Sequence, residues 1–92
     1  MEFEHNPNKS AANKAKHGID FEEAQALWQD VDRLEIPARF YGEDRIALIG
    51  RIPEKLWTAI FTMRDGAVRL ISCRRAREEE AVLYERAKNE QH

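Results

Sequence analysis

The sequence predicts an α+β fold with two N-terminal helices, a four-stranded antiparallel sheet arranged as a meander, and a C-terminal helix. Three observations predict this class. Helix caps mark the first third of the chain, strand-like stretches separated by turn residues follow, and the last segment places acidic residues before basic ones. Helices on either side of a run of strands favour an α+β sandwich. With 92 residues, 42% hydrophobic and 35% charged, the chain is expected to form one domain, residues 1–92, around a single core.

The first helix is predicted by the residues at its two ends. Asn6-Pro7 suits a helix start, because asparagine caps free N–H groups and proline is tolerated at the first helical position. Gly18 suits the left-handed conformation that often follows a helix end. This helix should therefore end near His17.

The second helix is predicted by a capping box. Asp20 and Glu23 lie three residues apart, so each side chain can accept a hydrogen bond from the other's backbone N–H. We expect this helix to run from Asp20 to about Gln29. Its apolar stripe consists of Phe21, Ala24, Leu27 and Trp28.

The middle of the chain contains strand candidates bounded by turn residues. Pro37 has no N–H to donate to a neighbouring strand, so the first of these strands is expected at an edge of the sheet. The predicted strands are Leu34–Tyr41, Arg45–Ile52, Leu56–Met63 and Val68–Arg74.

The third helix is predicted from Ala76 onward by its charges. Glu78-Glu79-Glu80 lies near its start, and Arg86 and Lys88 lie near its end. This distribution complements the helix dipole, which favours acids at the N-terminus and bases at the C-terminus.

The last two strands are predicted to form a hairpin closed by the two-residue turn Asp65-Gly66. In that register Arg64 and Arg69 project from one face of the sheet. The expected pairs are Arg64 with Ala67, Thr62 with Arg69, and Ile60 with Ile71. The opposite, core-facing side would carry Trp57, Ala59, Phe61, Met63, Val68 and Leu70.

Positive charge is concentrated around this hairpin. The whole chain has a formal net charge of -2, but residues 64 to 77 hold five arginines and one acid, which gives 5 − 1 = +4. A basic region on an acidic protein indicates an anionic ligand, and RNA phosphate is the leading candidate.

Several classes of protein are disfavoured by composition. Cys73 is the only cysteine, so an intrachain disulfide and a cysteine-rich zinc site are excluded, and a cytoplasmic setting is expected. The chain has no apolar run of membrane-spanning length, and its start, Met1 to His5, lacks the pattern of a signal peptide. The histidines His5, His17 and His92 are scattered, so neither a metal site nor a cofactor is predicted.

Several motifs together resemble the BrnT family of bacterial type II toxins, in the order expected from Phe3 to Tyr84. The most specific are the triplet Lys16-His17-Gly18 and the strand end Arg69–Ala76. The other matching residues are Asn13, Phe21, Ala24, Gly50, Thr62 and Arg64. Members usually have aspartate where Asn6 stands and alanine where Cys73 stands; the first change keeps a helix cap and the second exchanges small residues.

The resemblance implies a RelE-like, metal-independent endoribonuclease that inhibits translation. It also implies a BrnA-type antitoxin as protein partner, in a complex that would be a heterotetramer. Operator DNA would then be contacted only through the antitoxin, because antitoxins of this type resemble dimeric DNA-binding proteins.

Metal-free RNA cleavage uses the neighbouring 2′-hydroxyl as nucleophile. It needs a base, an acid for the leaving 5′-oxygen, and cations for the phosphorane. Arginine suits phosphate because it donates two parallel hydrogen bonds, and histidine titrates near neutral pH. The catalytic candidates are Arg64, His17, Lys16, Arg74, Glu79 and Tyr84. The RNA-binding candidates are Arg69, Arg75 and Arg77.

Most of these residues also have a purely structural interpretation. Lys16 and His17 complement the dipole at a helix C-terminus, and Glu79 does so at a helix N-terminus. Tyr84 is compatible with a place in the core, and the pair Arg74-Arg75 with ion pairs to helix acids. Arg64 has the weakest structural explanation, because it ends a hairpin strand on the face opposite the apolar one.

Two functions follow for the whole chain. The first is the ribonuclease toxin. The alternative is a non-catalytic, degenerate toxin-like module that binds an antitoxin and acts in operon autoregulation.

Overall fold

The computed structural model describes residues 1–91, so His92 lies outside the described residues. The strands are β1 (Phe3–Glu4), β2 (Leu34–Pro37), β3 (Ile46–Ile52), β4 (Lys55–Arg64) and β5 (Ala67–Arg75). The α-helices are α1 (Pro7–His17) and α2 (Glu78–Glu90), and two 3₁₀ helices span Glu23–Gln29 and Arg39–Tyr41. Within the described residues no helix is long and apolar enough to cross a membrane.

The α+β class is confirmed, but the sheet is mixed and has five strands in the order β1-β5-β4-β3-β2. The predicted meander forms its antiparallel part, from β2 to β5. The prediction of a purely antiparallel four-stranded sheet is wrong, because β1 pairs in parallel with β5, with Phe3 opposite Val68. A strand of two residues has no alternation of apolar and polar positions from which it can be recognised.

The first predicted strand is shorter than expected. β2 ends at Pro37 and does not continue to Tyr41, because the chain turns into the 3₁₀ helix Arg39–Tyr41. The N–H of Tyr41 donates to the carbonyl of Ala38 at 2.9 Å, which closes the turn. The predicted edge position is confirmed, because β2 is the last strand in the sheet order.

The caps of α1 are as predicted. The Asn6 side chain accepts hydrogen bonds from the N–H groups of Asn8 and Lys9, at 2.8 and 3.2 Å. Gly18 has a φ of 82°, the left-handed conformation that glycine adopts without strain.

The segment after α1 forms the predicted capping box but not the predicted α-helix. Asp20 and Glu23 exchange backbone-to-side-chain hydrogen bonds of 2.7 and 3.0 Å. The helix that follows, Glu23–Gln29, is a 3₁₀ helix. Ala24 and Leu27 are completely buried and three residues apart, and this spacing places both on one edge of a 3₁₀ helix.

Asn13 joins α1 to the edge of β5. Beyond the short β1, its side-chain amide donates to the carbonyl of Cys73 at 2.8 Å and accepts from the N–H of Cys73 at 3.2 Å. It also donates to the carbonyl of Ile19 at 2.7 Å. Asn13 therefore satisfies buried backbone groups that a longer edge strand would otherwise pair with.

The β4–β5 hairpin turns at Asp65-Gly66 as predicted. Both turn residues have positive φ, 52° and 80°, as a two-residue hairpin turn with a twist matching its strands requires. The predicted pairs Arg64 with Ala67 and Thr62 with Arg69 are confirmed.

A β-bulge changes the register further along this hairpin. Phe61 pairs with Leu70, but Ile60 pairs with Ser72, so the predicted pair of Ile60 with Ile71 is wrong and Ile71 is the extra residue. Arg69 and Arg74 are five residues apart, an odd separation that would place them on opposite faces of a regular strand. The bulge places Arg74 opposite Thr58, on the face that carries Arg69.

We call this side of the sheet, which carries Arg64, Arg69 and Arg74, the arginine face. The opposite side packs against Phe21, Ala24 and Leu27 to form the main core. The core-facing positions that were predicted correctly are Ala59, Phe61, Val68 and Leu70, with Trp57 partly buried.

Met63 departs from the predicted core. It is 51% exposed, because β3 extends only as far as the position opposite Phe61. Met63 therefore has a neighbouring strand on one side only.

Candidate functional site

The open end of the arginine face carries two arginines. Arg64 ends β4 and is exposed, and its side chain makes no hydrogen bond or ion pair with another described residue. Arg69 is partly buried, and its Nη1 lies 3.4 Å from Oε1 of Glu4 on the neighbouring strand. Since that contact is long and partly exposed to solvent, it holds Arg69 weakly.

Arg74 is held much more firmly, in a two-pronged ion pair with Glu80 of α2. The two hydrogen bonds measure 2.8 and 3.0 Å, and the side chains are only 13% and 12% exposed. Glu80 also accepts hydrogen bonds from the Thr58 hydroxyl at 2.9 Å and from the N–H of Arg77 at 2.8 Å. This cluster fixes the start of α2 on the arginine face.

The electrostatics of the cluster keep both partners charged. The hydrogen bond to Glu80 raises the pKa of Arg74. Burial alone would raise the pKa of Glu80, but the hydrogen bonds from Arg74, Arg77 and Thr58 outweigh burial and lower it. Glu80 is therefore ionised at neutral pH and is not a proton donor there.

One polar atom of the Arg74 side chain is not satisfied by a hydrogen bond to a described residue. Its Nε is buried and has no hydrogen-bond partner among the described residues. The hydroxyl of Tyr41, in the 3₁₀ turn Arg39–Tyr41, also contributes to raising the pKa of Arg74. Arg74 therefore has a structural role, because its ion pair with Glu80 holds α2 on the arginine face.

Tyr84 is part of a buried link between α2 and the residues before β2. It is 1% exposed, and its hydroxyl donates to Oδ2 of Asp30 at 2.7 Å. Burial and the Asp30 carboxylate raise the pKa of Tyr84 to about 12. Its ring is closed to an RNA base, so the geometry agrees with the core interpretation of Tyr84.

Asp30 holds that link from the other side. Burial would raise the pKa of its carboxyl group, but hydrogen bonds from Tyr84 and from the N–H groups of Asp32 and Arg51 outweigh burial and lower it. The Arg51 guanidinium lies 5.6 Å from the centre of the Tyr84 ring and forms an ion pair with Glu85 at 2.8 Å. These contacts stabilise the packing of α2 against β3.

Lys16 and His17 lie at the opposite end of the sheet from Arg64. They end α1, and the adjoining Gly18 lines a surface cavity together with residues 52–55, which form the turn between β3 and β4. β4 runs ten residues from that turn to Arg64, a length of about 30 Å. The structure therefore does not bring Lys16 and His17 together with Arg64.

The remaining candidates are dispersed around the sheet. Arg75 lies at the Lys16 end, with its guanidinium 5.5 Å from the centre of the Trp57 ring and its Nε 3.3 Å from the carbonyl of Leu56. Arg77 is the exposed N-cap of α2, and Glu79 is exposed in the first turn of that helix.

Sequence reasoning missed Thr58 and Glu80, which hold Arg74 in place. In the sequence, Glu80 is recognisable only as part of an acidic helix start. Thr58 lies opposite Arg74 only because of the bulge. In the regular hairpin register predicted from the sequence, the two residues are not paired. The exposed aromatic pair Phe40 and Tyr41 was also missed, because the sequence predicts Tyr41 as the last residue of a strand.

Two other kinds of chemistry find little support in the geometry. Burial raises the pKa of the Cys73 thiol to about 12, so it is not a nucleophile at neutral pH. Within residues 1–91, no three histidine, cysteine, aspartate or glutamate side chains are grouped so that they could hold a metal ion.

The sequence was compared with models of known protein families. Residues 5–80 match the family described as "Ribonuclease toxin, BrnT, of type II toxin-antitoxin system". The matched range contains the whole arginine face and the Arg74–Glu80 ion pair. A comparison with curated proteins found no match.

Proposed function

The chain belongs to the BrnT family of ribonuclease toxins of type II toxin–antitoxin systems, and we propose that it is an endoribonuclease of the RelE-like kind that cleaves RNA on its arginine face without a metal ion. Its action in the cytoplasm would inhibit translation by destroying RNA. The observation that supports this most strongly is Arg64, an exposed guanidinium that no described residue pairs with.

Charge on the arginine face suits the reaction. In metal-free cleavage the 2′-oxygen attacks the adjacent phosphorus, its proton passes to a base, and the 5′-oxygen leaves after accepting a proton. The phosphorane formed on the way carries more negative charge than the phosphodiester. We propose that Arg64 donates two parallel hydrogen bonds to it, while Arg69 positions a neighbouring phosphate.

Glu79 is exposed in the first turn of α2, next to Glu80, which binds Thr58 six residues before Arg64 on β4. Since six strand residues span about 20 Å, we propose Glu79 as the base that accepts the 2′-hydroxyl proton only for RNA whose cleaved phosphate lies between Arg64 and the start of α2. Lys16 and His17, at the far end of β4, would act in this scheme only on RNA that extends the length of the sheet.

The alternative function is the non-catalytic toxin-like module that binds an antitoxin and acts in operon autoregulation. One observation favours it: the predicted catalytic residues do not converge. Arg74 is occupied by Glu80, and Lys16 and His17 are about 30 Å from Arg64 along β4.

A cleavage assay separates the two functions. We expect the purified protein to cut RNA in excess EDTA at the same rate as without it, because the described side chains offer no metal-binding cluster. Cleavage that stops on chelation and returns with a divalent ion would contradict the mechanism. A protein that never cuts RNA but still binds its antitoxin would support the non-catalytic alternative.

The partner proposed for this site is a BrnA-type antitoxin. A type II toxin requires a protein that neutralises it, and a basic face is covered most directly by carboxylates, which also accelerate capture by electrostatic steering. We propose that the antitoxin covers Arg64, Arg69 and Arg74. A dimeric antitoxin would then give a heterotetramer that contacts operator DNA through the antitoxin alone.

Hydrogen exchange on the toxin, with and without antitoxin, tests where the partner binds. We expect added protection in the β4–β5 hairpin, where the arginines lie. Protection confined to residues before Asp30, with the hairpin unchanged, would show that inhibition works from another surface.

A further inference from the structure

Phe40 is a large apolar side chain presented almost entirely to solvent. It is 96% exposed at the turn between β2 and β3, and the neighbouring Tyr41 is 39% exposed. Exposure of this extent gives Phe40 no role in packing the core. Single exposed apolar side chains are common on protein surfaces, so the case for a ligand at Phe40 depends on how its ring is held and on what lies beside it.

The turn that carries Phe40 is held firmly. The N–H of Ala38 donates to the carbonyl of Arg45 at 2.9 Å, and the N–H of Gly42 donates to the carbonyl of Arg39 at 3.1 Å. Ala38 is itself buried in a small apolar cluster on the arginine face. The rings of Phe40 and Tyr41 meet edge to face, with centroids 5.6 Å apart and planes at 79°, an arrangement that restrains the exposed ring.

The same turn is tied to the arginines. Ala38, at the start of the turn, packs with Ile60 of β4 and Ile71 of β5 on the arginine face. The Tyr41 hydroxyl contributes to the raised pKa of Arg74. At the other end of the loop, the Thr62 hydroxyl donates to the carbonyl of Asp44 at 2.9 Å, and Thr62 lies two residues from Arg64 on the same face of β4. The aromatic turn thus borders the surface that carries Arg64, the arginine proposed to bind phosphate.

We propose that Phe40, supported by Tyr41, is a stacking platform for one unpaired base of the RNA substrate. The inference rests on the proposed function and adds a residue that binds the substrate outside the cleavage site. Aromatic rings bind unpaired bases by stacking, while arginines beside them bind the backbone phosphates. In a duplex both faces of an internal base are already stacked on neighbouring bases, so none is free to stack on Phe40.

The test is the binding of single-stranded RNA whose 2′-hydroxyls are methylated, so that it cannot be cut. Fluorescence anisotropy of a labelled strand gives the affinity. We expect Phe40→Ala to bind at least about fivefold more weakly than the wild type, the lower end of the stacking effect of one base. Phe40→Trp should bind like the wild type, and RNA should quench the added indole fluorescence.

Three controls make the result specific. Val31→Ala removes another apolar side chain, one that is 85% exposed, and should leave RNA affinity unchanged. A duplex of the same sequence should bind equally to the wild type and to Phe40→Ala. Thermal unfolding should also be unchanged by Phe40→Ala, since the ring makes no core contact.

The platform is overturned if Phe40→Ala binds the single strand as the wild type does while the wild type cuts unmodified RNA. It is also overturned if Phe40→Ala loses affinity for the antitoxin and keeps its affinity for RNA, since the ring would then serve a protein interface. A wild type that neither binds nor cuts RNA would instead refute the proposed function, and the platform with it.

Discussion

Replacing Arg64 with alanine is expected to lower the rate of RNA cleavage by roughly a hundredfold or more, the usual cost of losing one donor to the charge of a transition state. The loss should appear mainly in kcat, because the phosphorane carries more charge than the bound phosphodiester. Stability should change by less than about 0.5 kcal/mol, because the Arg64 side chain is exposed and unpaired among the described residues.

Single-turnover cleavage of a labelled RNA, with urea unfolding of the same samples, measures both effects. Arg86→Ala is the matched control, since Arg86 is exposed on α2 and should leave cleavage unchanged. Arg64→Lys should retain only part of the activity, because lysine keeps the charge but not the two parallel hydrogen bonds. Full activity in a folded Arg64→Ala protein would remove this residue from the site.

The Glu80→Ala substitution is expected to have the largest effect on stability, a loss of about 3–5 kcal/mol. It would leave the Arg74 guanidinium buried without its carboxylate and would remove the acceptor for Thr58 and for the N–H of Arg77. Urea unfolding measures the loss directly. Replacing both partners with apolar residues, Arg74→Met with Glu80→Leu, should recover much of it, because no charge is then buried unpaired.

Acid should weaken the same cluster. The pKa of Glu80 is lower in the folded protein than its ordinary value of 4.5, so its contribution to stability is fully present above that pH. The contribution is lost as the pH falls through the lower folded value. Glu80→Gln should be less stable than the wild type at neutral pH, and the difference should shrink in acid. A Glu80→Ala protein within about 1 kcal/mol of the wild type would show that the ion pair does not anchor α2.

The parts of the fold that the sequence predicted are those that local chemistry determines. Asn6 caps α1 with its side chain, and Gly18 ends the helix because glycine adopts the left-handed conformation without strain. The hairpin turns at Asp65-Gly66 because both residues tolerate positive φ. Pro37 marks an edge strand for the same kind of local reason.

The parts that were missed depend on contacts between distant segments. The bulge at Ile71 is not visible in the alternation of β5, yet it decides that Arg74 shares a face with Arg69. The two-residue β1 exists only because β5 offers it an edge to pair with. The 3₁₀ helix Glu23–Gln29 buries Ala24 and Leu27 against the sheet. Helix propensity, which is a local property, does not indicate that contact.

The candidate site shows the same division. Arg64 and Arg69 could be placed on one face from the hairpin turn alone. The separation of Lys16 and His17 from Arg64 could not be foreseen, because it depends on which end of the sheet α1 packs against. Sequence order gives no distance between residues so far apart along the chain.

The most direct test of the central claim, that this chain is a ribonuclease toxin whose activity needs Arg64, is induced expression without antitoxin, with RNA fragments mapped from the same cells. We predict that the wild type arrests growth and produces new RNA ends, while Arg64→Ala at equal protein level is tolerated and produces none. Tolerance of the wild type at that level, or arrest and cleavage by both proteins alike, would contradict the claim.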